Sequence, residues 1–126
     1  MNYNVVVVDD DEIVLFLHSK IIQAVGLHES PKTFNSALKA LEFFKSVPDD
    51  TPILLFLDIN MPVMDGWGLL DIIHQEDFDK KIEVVMVTSS VDQGDKDKAE
   101  SYSKIIEFVE KPFSRTNMET LKLRLL

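Results

Sequence analysis

Four places in the chain set chemically active side chains directly beyond short apolar runs. Asp9, Asp10 and Asp11 follow Val5 to Val8, and Asp58 follows Ile53 to Leu57. Thr88 and Ser89 follow Val84 to Val87, and Lys111, with Pro112 after it, follows Ile105 to Val109. Carboxylates from two segments about fifty residues apart, a hydroxyl and an ammonium would make one chemical set if the fold brought them together. Two ionised carboxylates about 5 Å apart at an effective dielectric near 20 repel by roughly 3 kcal/mol, so such a set needs compensating positive charge. A hard divalent cation answers that need: Mg²⁺ takes oxygen ligands, keeps several waters and is held by one or two carboxylates together with a phosphoryl oxygen. Acidic residues beyond strands also serve as solvated loop charges or helix caps, and that reading suits Asp11 and Glu12, which stand where negative charge complements a helix dipole. Asp9, Asp10 and Asp58 are the candidate site.

The elements that must position these residues follow from periodicity. Val5 to Val8 is a β-branched run fit for a strand buried on both faces. A helix follows from about Glu12 to Val25, where Ile13, Leu17, Ile21 and Val25 recur every four residues and Gly26 stands at the place of a left-handed C-terminal cap. The stretch Leu27 to Thr33 contains Pro31 and reads as a short edge strand, where a missing N–H is tolerated. Asn35 or Ser36 can cap a second helix with Ala37, Leu38, Leu41 and Phe44 as its stripe, ended by Pro48. Ile53 to Leu57 is a third strand, and the loop Asp58 to Gly66 leads to a helix bearing Leu69, Leu70 and Ile73. Val84 to Val87 and Ile105 to Val109 are the fourth and fifth strands. Between them, Asp92 to Ser103 is largely charged, with Ala99 and Tyr102 able to seat a weakly amphipathic helix. Met118, Leu121 and Leu125 give a last helix its core face.

Five apolar strands alternating with helices predict an α/β fold, a doubly wound parallel sheet with helices on both faces. In such sheets ligands bind beyond the carboxyl ends of the strands, where the active residues stand. With 126 residues, one domain is expected, large enough to form a core without disulfides or structural metals. There are no cysteines, which excludes a disulfide scaffold, a zinc ribbon, an iron–sulfur site and a thiol nucleophile. A formal charge of −9 repels nucleic acid and anionic membranes. No apolar run approaches the roughly 20 residues of a membrane span, and the start of the chain lacks the basic region of a secretory signal, so a cytoplasmic protein is expected.

Taken in order, Val8-Asp9-Asp10-Asp11, the stretch Leu57-Asp58-Ile59-Asn60-Met61-Pro62-Val63-Met64-Asp65-Gly66, Val87-Thr88-Ser89 and Glu110-Lys111-Pro112-Phe113 resemble the receiver domain of two-component response regulators over nearly the whole chain. The resemblance implies the flavodoxin-like receiver fold with strand order 2-1-3-4-5, one receiver domain over residues 1–126 and no output domain. It implies that Asp58 accepts a phosphoryl group from a phosphohistidine on a sensor histidine kinase or histidine phosphotransfer protein. It further implies that Asp10, Asp58 and the main-chain carbonyl of Asn60 ligate Mg²⁺, with Asp9 acting through a metal-bound water. Lys111 and Thr88 would then meet the phosphoryl oxygens, and Pro112 suggests a cis peptide. Thr88 and Phe108 would form the switch that reports phosphorylation to a downstream protein. The chain would thus be a self-catalysed phosphoacceptor with slow autodephosphorylation, not an enzyme turning over a separate substrate.

Two departures stand out. Phe108 lacks the phenolic hydroxyl common at its position in the family, and Tyr102-Ser103-Lys104 replaces the glycine and alanine often found before the fifth strand. Competing functions fare worse. An aspartate-nucleophile phosphohydrolase commonly needs a second aspartate two residues after the nucleophile, where Asn60 stands and can carry no proton. A flavodoxin-like cofactor binder needs a hydroxyl- and glycine-rich phosphate loop after the first strand, where three aspartates would repel the phosphate. A phosphorylation-independent interaction module would leave the acidic set, Thr88 and Lys111 without purpose. His18, His28 and His74 lack metal-ligand spacing and are read as non-functional, and Trp67 as a packing residue.

Overall fold

The computed structural model describes residues 3–76, 81–89 and 92–125; Met1, Asn2 and Leu126, on which the expected limits of the domain rest, lie outside them. The strands are β1 (Asn4–Val8), β2 (Lys32–Phe34), β3 (Pro52–Asp58), β4 (Lys81–Thr88) and β5 (Ile105–Glu110). They alternate with α1 (Glu12–Ala24), α2 (Ala37–Ser46), α3 (Gly66–Gln75), α4 (Gln93–Ala99) and α5 (Arg115–Leu125). All pairings are parallel, in the order β2-β1-β3-β4-β5. No helix among the described residues is long and apolar enough to cross a membrane.

The runs of β-branched and apolar residues are continuous because both faces of the central strands are covered. Val6, Val8, Leu55, Leu57, Val84 and Met86 pack with Phe44, Leu69 and Ile73 on one face. Their neighbours Val5, Val7, Leu54, Phe56, Val85 and Val87 pack with Leu15, Ile22, Met118 and Leu121 on the other. β2 lies at one edge as expected, but it begins at Lys32, because Leu27 is buried at the exit of α1 instead of extending the strand. β5 lies at the opposite edge, half-buried through most of its length.

The apolar stripe of α1 differs from the sequence expectation. Ile13 is 70% and Leu17 48% exposed, Ile21 is half-buried, and Val25 is down to 9%. A strict four-residue repeat turns by roughly 40° per step on a helix of 3.6 residues per turn, so the stripe winds from solvent into the core. The face that packs on the sheet is Leu15, His18 and Ile22, and the histidine in it breaks the apolar pattern. Leu38 is likewise 49% exposed, and Ala37, Ala40, Leu41 and Phe44 carry the core face of α2. α4 ends at Ala99, so Tyr102 stands beyond it.

Helix starts obey local capping chemistry. The Asp11 carboxylate accepts from the backbone N–H groups of Ile13 and Val14, Ser36 accepts from Lys39, and Asp65 from Gly68. Ile22→Ala should cost about 2–5 kcal/mol in urea unfolding, the cost of emptying a fully buried site. Ile13→Ala should stay within about 0.5 kcal/mol of the unchanged protein; the opposite ranking would restore the four-residue stripe as the core face.

Candidate functional site

The carboxyl ends of β1, β3, β4 and β5 converge as the order β1-β3-β4-β5 requires. Asp9, directly after β1, and Asp58, the last residue of β3, are 2% and 3% exposed, whereas Asp10 is exposed. Carboxylate oxygens of all three lie within 4.8 Å of one another. Lys111, one residue beyond β5, reaches in between: its Nζ is 2.8 Å from Asp9 Oδ2 and 3.2 Å from Asp58 Oδ1. The Lys111–Pro112 peptide is cis, as the sequence suggested. Thr88, buried at the end of β4, accepts the Lys111 backbone N–H at 2.6 Å through its carbonyl oxygen. Every residue proposed for chemistry from sequence thus lies at one end of the sheet, except Phe108, which stands lower on β5.

The electrostatics are those of a pocket with too much negative charge. Burial, then the neighbouring Asp9 carboxylate, push the Asp58 carboxyl up to about 6, and the Lys111 ammonium and the Asn60 backbone N–H oppose this only partly. For Lys111, burial favours the neutral amine, but the hydrogen bond to Asp9 and the charge of Asp58 outweigh it and raise its proton affinity. Asp9 is held from the opposite side by the Asp11 backbone N–H, which donates to Oδ1 at 2.9 Å. Three converging carboxylates with one exposed member, no sulfur or imidazole among them, and a proton affinity at Asp58 raised by burial and by the neighbouring Asp9 carboxylate fit a hard divalent cation. It is the one such cluster among the described residues. The Asn60 main chain adjoins it through the bond to Asp58.

The loop from Ile59 to Gly66 closes back on the end of β3. Gly66 N–H donates to Ile59 O at 2.8 Å, and a Cβ on Gly66 would stand 2.5 Å from the Asp58 backbone oxygen, so only glycine permits this closure.

Several neighbours of the site escaped the sequence reading. His18 is 1% exposed and stacks on Phe113 with ring centroids 3.6 Å apart; Phe113 meets Phe56 at 5.3 Å. These three rings join α1, the chain beyond Lys111 and β3. Burial, then the Lys111 charge, lower the His18 imidazole to about 4, so it is neutral at pH 7. Only the spacing Leu15, His18, Ile22 signalled its place. Trp67 is buried, as expected of a packing residue, and it belongs to a clasp between α3 and α4: Tyr102 lies 5.5 Å from its ring, and Lys98 Nζ sits 4.8 Å from its centroid. The Tyr102 hydroxyl donates to Asp71 Oδ1 at 2.7 Å, a bond that chiefly accounts for its proton affinity being pushed up to about 12. Phe108 is half-buried and has open space on two sides, a hollow of about 300 Å³ against α5 and one of about 210 Å³ against α4.

Comparison with known proteins agrees with this geometry. Residues 5–122 match the family model described as the response regulator receiver domain. The chain is 35% identical over 88 residues to the transcriptional regulatory protein PrrA of Mycobacterium tuberculosis, covering 70% of this chain and 36% of that protein. It is 29% identical over 120 residues to the signal transduction histidine-protein kinase BarA of Escherichia coli, covering 95% of this chain and 12% of that one. The chain therefore spans well under half the length of these curated relatives. Among solved structures, a response regulator receiver protein from Dyadobacter fermentans superposes with a TM-score of 0.84 at 30% identity, covering 97% of this chain and 96% of that one. The strand order, the acidic pocket bridged by a lysine, and the family match over residues 5–122 place the chain in the response regulator receiver domain family of two-component systems.

Proposed function

We propose that this receiver takes a phosphoryl group onto Asp58 from a phosphohistidine of a sensor histidine kinase or histidine phosphotransfer protein, with Mg²⁺, in the cytoplasm. It would act as a phosphorylation-controlled binding switch or relay shuttle. The observation that carries this reading is the Lys111 bridge between two buried carboxylates, one of which, Asp58, stands at the carboxyl end of β3. In the transfer, an Asp58 carboxylate oxygen bonds to phosphorus as the N–P bond to the donor imidazole breaks, and the imidazole takes up a proton as it leaves. Asp58 must be ionised to attack, and Lys111 favours that form. A bound Mg²⁺, held by Asp10, Asp58 and the Asn60 carbonyl with Asp9 through a water, would supply charge neutralisation for the phosphoryl oxygens.

Once the acyl phosphate forms, the Lys111 ammonium can turn from the carboxylates to a phosphoryl oxygen, and the Thr88 hydroxyl can donate to another. Asn60, exposed two residues after Asp58, offers no proton-shuttling group, which supports a persistent phosphoryl group over rapid turnover. For readout, movement of the Thr88 hydroxyl toward the phosphoryl group would free space toward β5, and the two hollows beside Phe108 give its ring room to change position. On the input side, Ile13, Phe16 and Leu17 of α1 are 70%, 58% and 48% exposed at helical spacing i, i+3, i+4, a ridge that suits packing against a partner helix.

Acetyl phosphate with Mg²⁺ should raise the intact mass by one phosphoryl group, and Asp58→Asn should abolish the increase; an undiminished increase would remove Asp58 from its role. Asp10→Ala should weaken Mg²⁺ binding by at least about tenfold in a fluorescence titration, since it removes one carboxylate of the set. Equal titrations would show that Asp10 is not a ligand.

The raised proton affinity of Asp58 also sets a pH dependence for the metal-free protein. An unfolded aspartate ionises near pH 4, the folded Asp58 near 6, so the folded state binds more protons between these values and stability falls as pH rises through that window. Relative to Asp58→Asn, the metal-free protein should lose roughly 2 kcal/mol between pH 4 and pH 6. Parallel pH profiles of the two proteins in urea would contradict the assignment.

A further inference from the structure

Between Met61, buried at 9% exposure, and Met64, half-buried, the loop beyond Asp58 turns through Pro62 and Val63 alone. Met64 N–H donates to Pro62 O at 2.8 Å, closing a three-residue turn with Val63 at its centre and a φ of 69°. A positive φ at the centre of such a turn is its rare, strained form, and for a β-branched residue the left-handed region costs on the order of 1–2 kcal/mol. Glycine or asparagine would occupy it at lower cost.

Nothing inside the molecule offsets that cost through the side chain, because Val63 is 96% exposed. The turn itself is required by the closure of the loop through Gly66 and Ile59, but the closure places no demand on the Val63 isopropyl group. An exposed apolar side chain held at a strained position in the loop that starts at the acceptor aspartate is explained by use from outside.

We infer that the Val63 side chain is a specificity contact for the protein that delivers the phosphoryl group. The inference rests on the phosphotransfer reading above. Asp58 is 3% exposed at the end of β3, so a donor protein must bring its histidine down to the pocket mouth, and the surface around that histidine then covers the loop leaving β3. The exposed ridge of Ile13, Phe16 and Leu17 follows the neighbouring, paired strand β1. Val63 thus offers an exposed apolar contact on the β3 side as the ridge does on the β1 side, and the fitting occupant is an apolar helical face carrying a phosphohistidine. A small phosphodonor enters the pocket without touching this rim.

The test compares Val63→Asn, which keeps the turn and removes the apolar contact, with Val63→Leu, which keeps an apolar side chain. Each is assayed with acetyl phosphate and Mg²⁺, and with the protein donor that phosphorylates the unchanged chain fastest from a panel of autophosphorylated histidine kinases and phosphorylated histidine phosphotransfer domains. Val63→Asn should lower kcat/KM for the protein donor roughly fivefold or more, while Val63→Leu stays within about twofold. Both should match the unchanged chain with acetyl phosphate within about twofold. Val63→Asn should also unfold at a higher temperature, by roughly 3 °C, as the strain is relieved. Transfer from the protein donor at the unchanged rate, a parallel loss with acetyl phosphate, a lowered unfolding temperature, or no protein donor acting on the unchanged chain would each overturn the inference. Failure of acetyl phosphate on the unchanged chain would instead remove the phosphotransfer reading beneath it.

Discussion

Two carboxylates buried side by side repel one another strongly, and the position of the Lys111 ammonium against both Asp9 and Asp58 is the interaction on which the arrangement of the site depends. A buried ion pair is expensive to form, because each charge leaves water, and its geometry must be good enough to offset that. Here the geometry comes from the sheet. β1 and β3 are adjacent and in register, so Asp9 and Asp58 emerge side by side; β4 and β5 follow, so Thr88 and Lys111 approach from the other flank. The Lys111 backbone is tied to the Thr88 carbonyl, and the chain beyond it is anchored by Phe113 between the rings of His18 and Phe56. The ammonium is thus placed by packing several residues away.

The balance is deliberately incomplete in charge. One ammonium faces three carboxylates, one of which still holds its proton more tightly than an ordinary aspartate. A pocket in this condition attracts a cation, and with the cation present it can accept the additional negative charge of a phosphoryl group. The same three carboxylates would make a poor site for an anionic substrate on their own. Charge, burial and position therefore suit the proposed transfer to Asp58, with positive charge assembled ahead of the phosphoryl group.

Much of this was legible in the sequence because the strands of a doubly wound sheet are short apolar runs and the site residues stand at their ends. Asp9, Asp10, Asp58, Thr88 and Lys111 could be read off as a set, and β1, β3 and β4 matched their apolar runs closely. Less was legible on the helices. The repeat at Ile13, Leu17, Ile21 and Val25 looked like a core stripe, yet it starts in solvent and reaches the core only at Val25, and the true face was concealed by the polar His18. The aromatic clasp of Trp67, Tyr102 and Lys98 joins residues from separate elements, and no local pattern announces it. Val63 carries no signal of its own in the loop from Asp58 to Gly66; its strain is a property of the backbone angle.

The central claim is that the Asp58 carboxylate is held short of full charge compensation until a divalent cation binds. Carbon-13 labelling of the aspartate carboxyl groups, with Asp58 assigned through Asp58→Asn, measures this directly. Without Mg²⁺ the Asp58 carboxyl resonance should titrate near pH 6, and with saturating Mg²⁺ its midpoint should fall by at least about one pH unit, since a ligated carboxylate binds protons less readily. A midpoint at the ordinary aspartate value in metal-free solution, or one that Mg²⁺ leaves in place, would contradict the account.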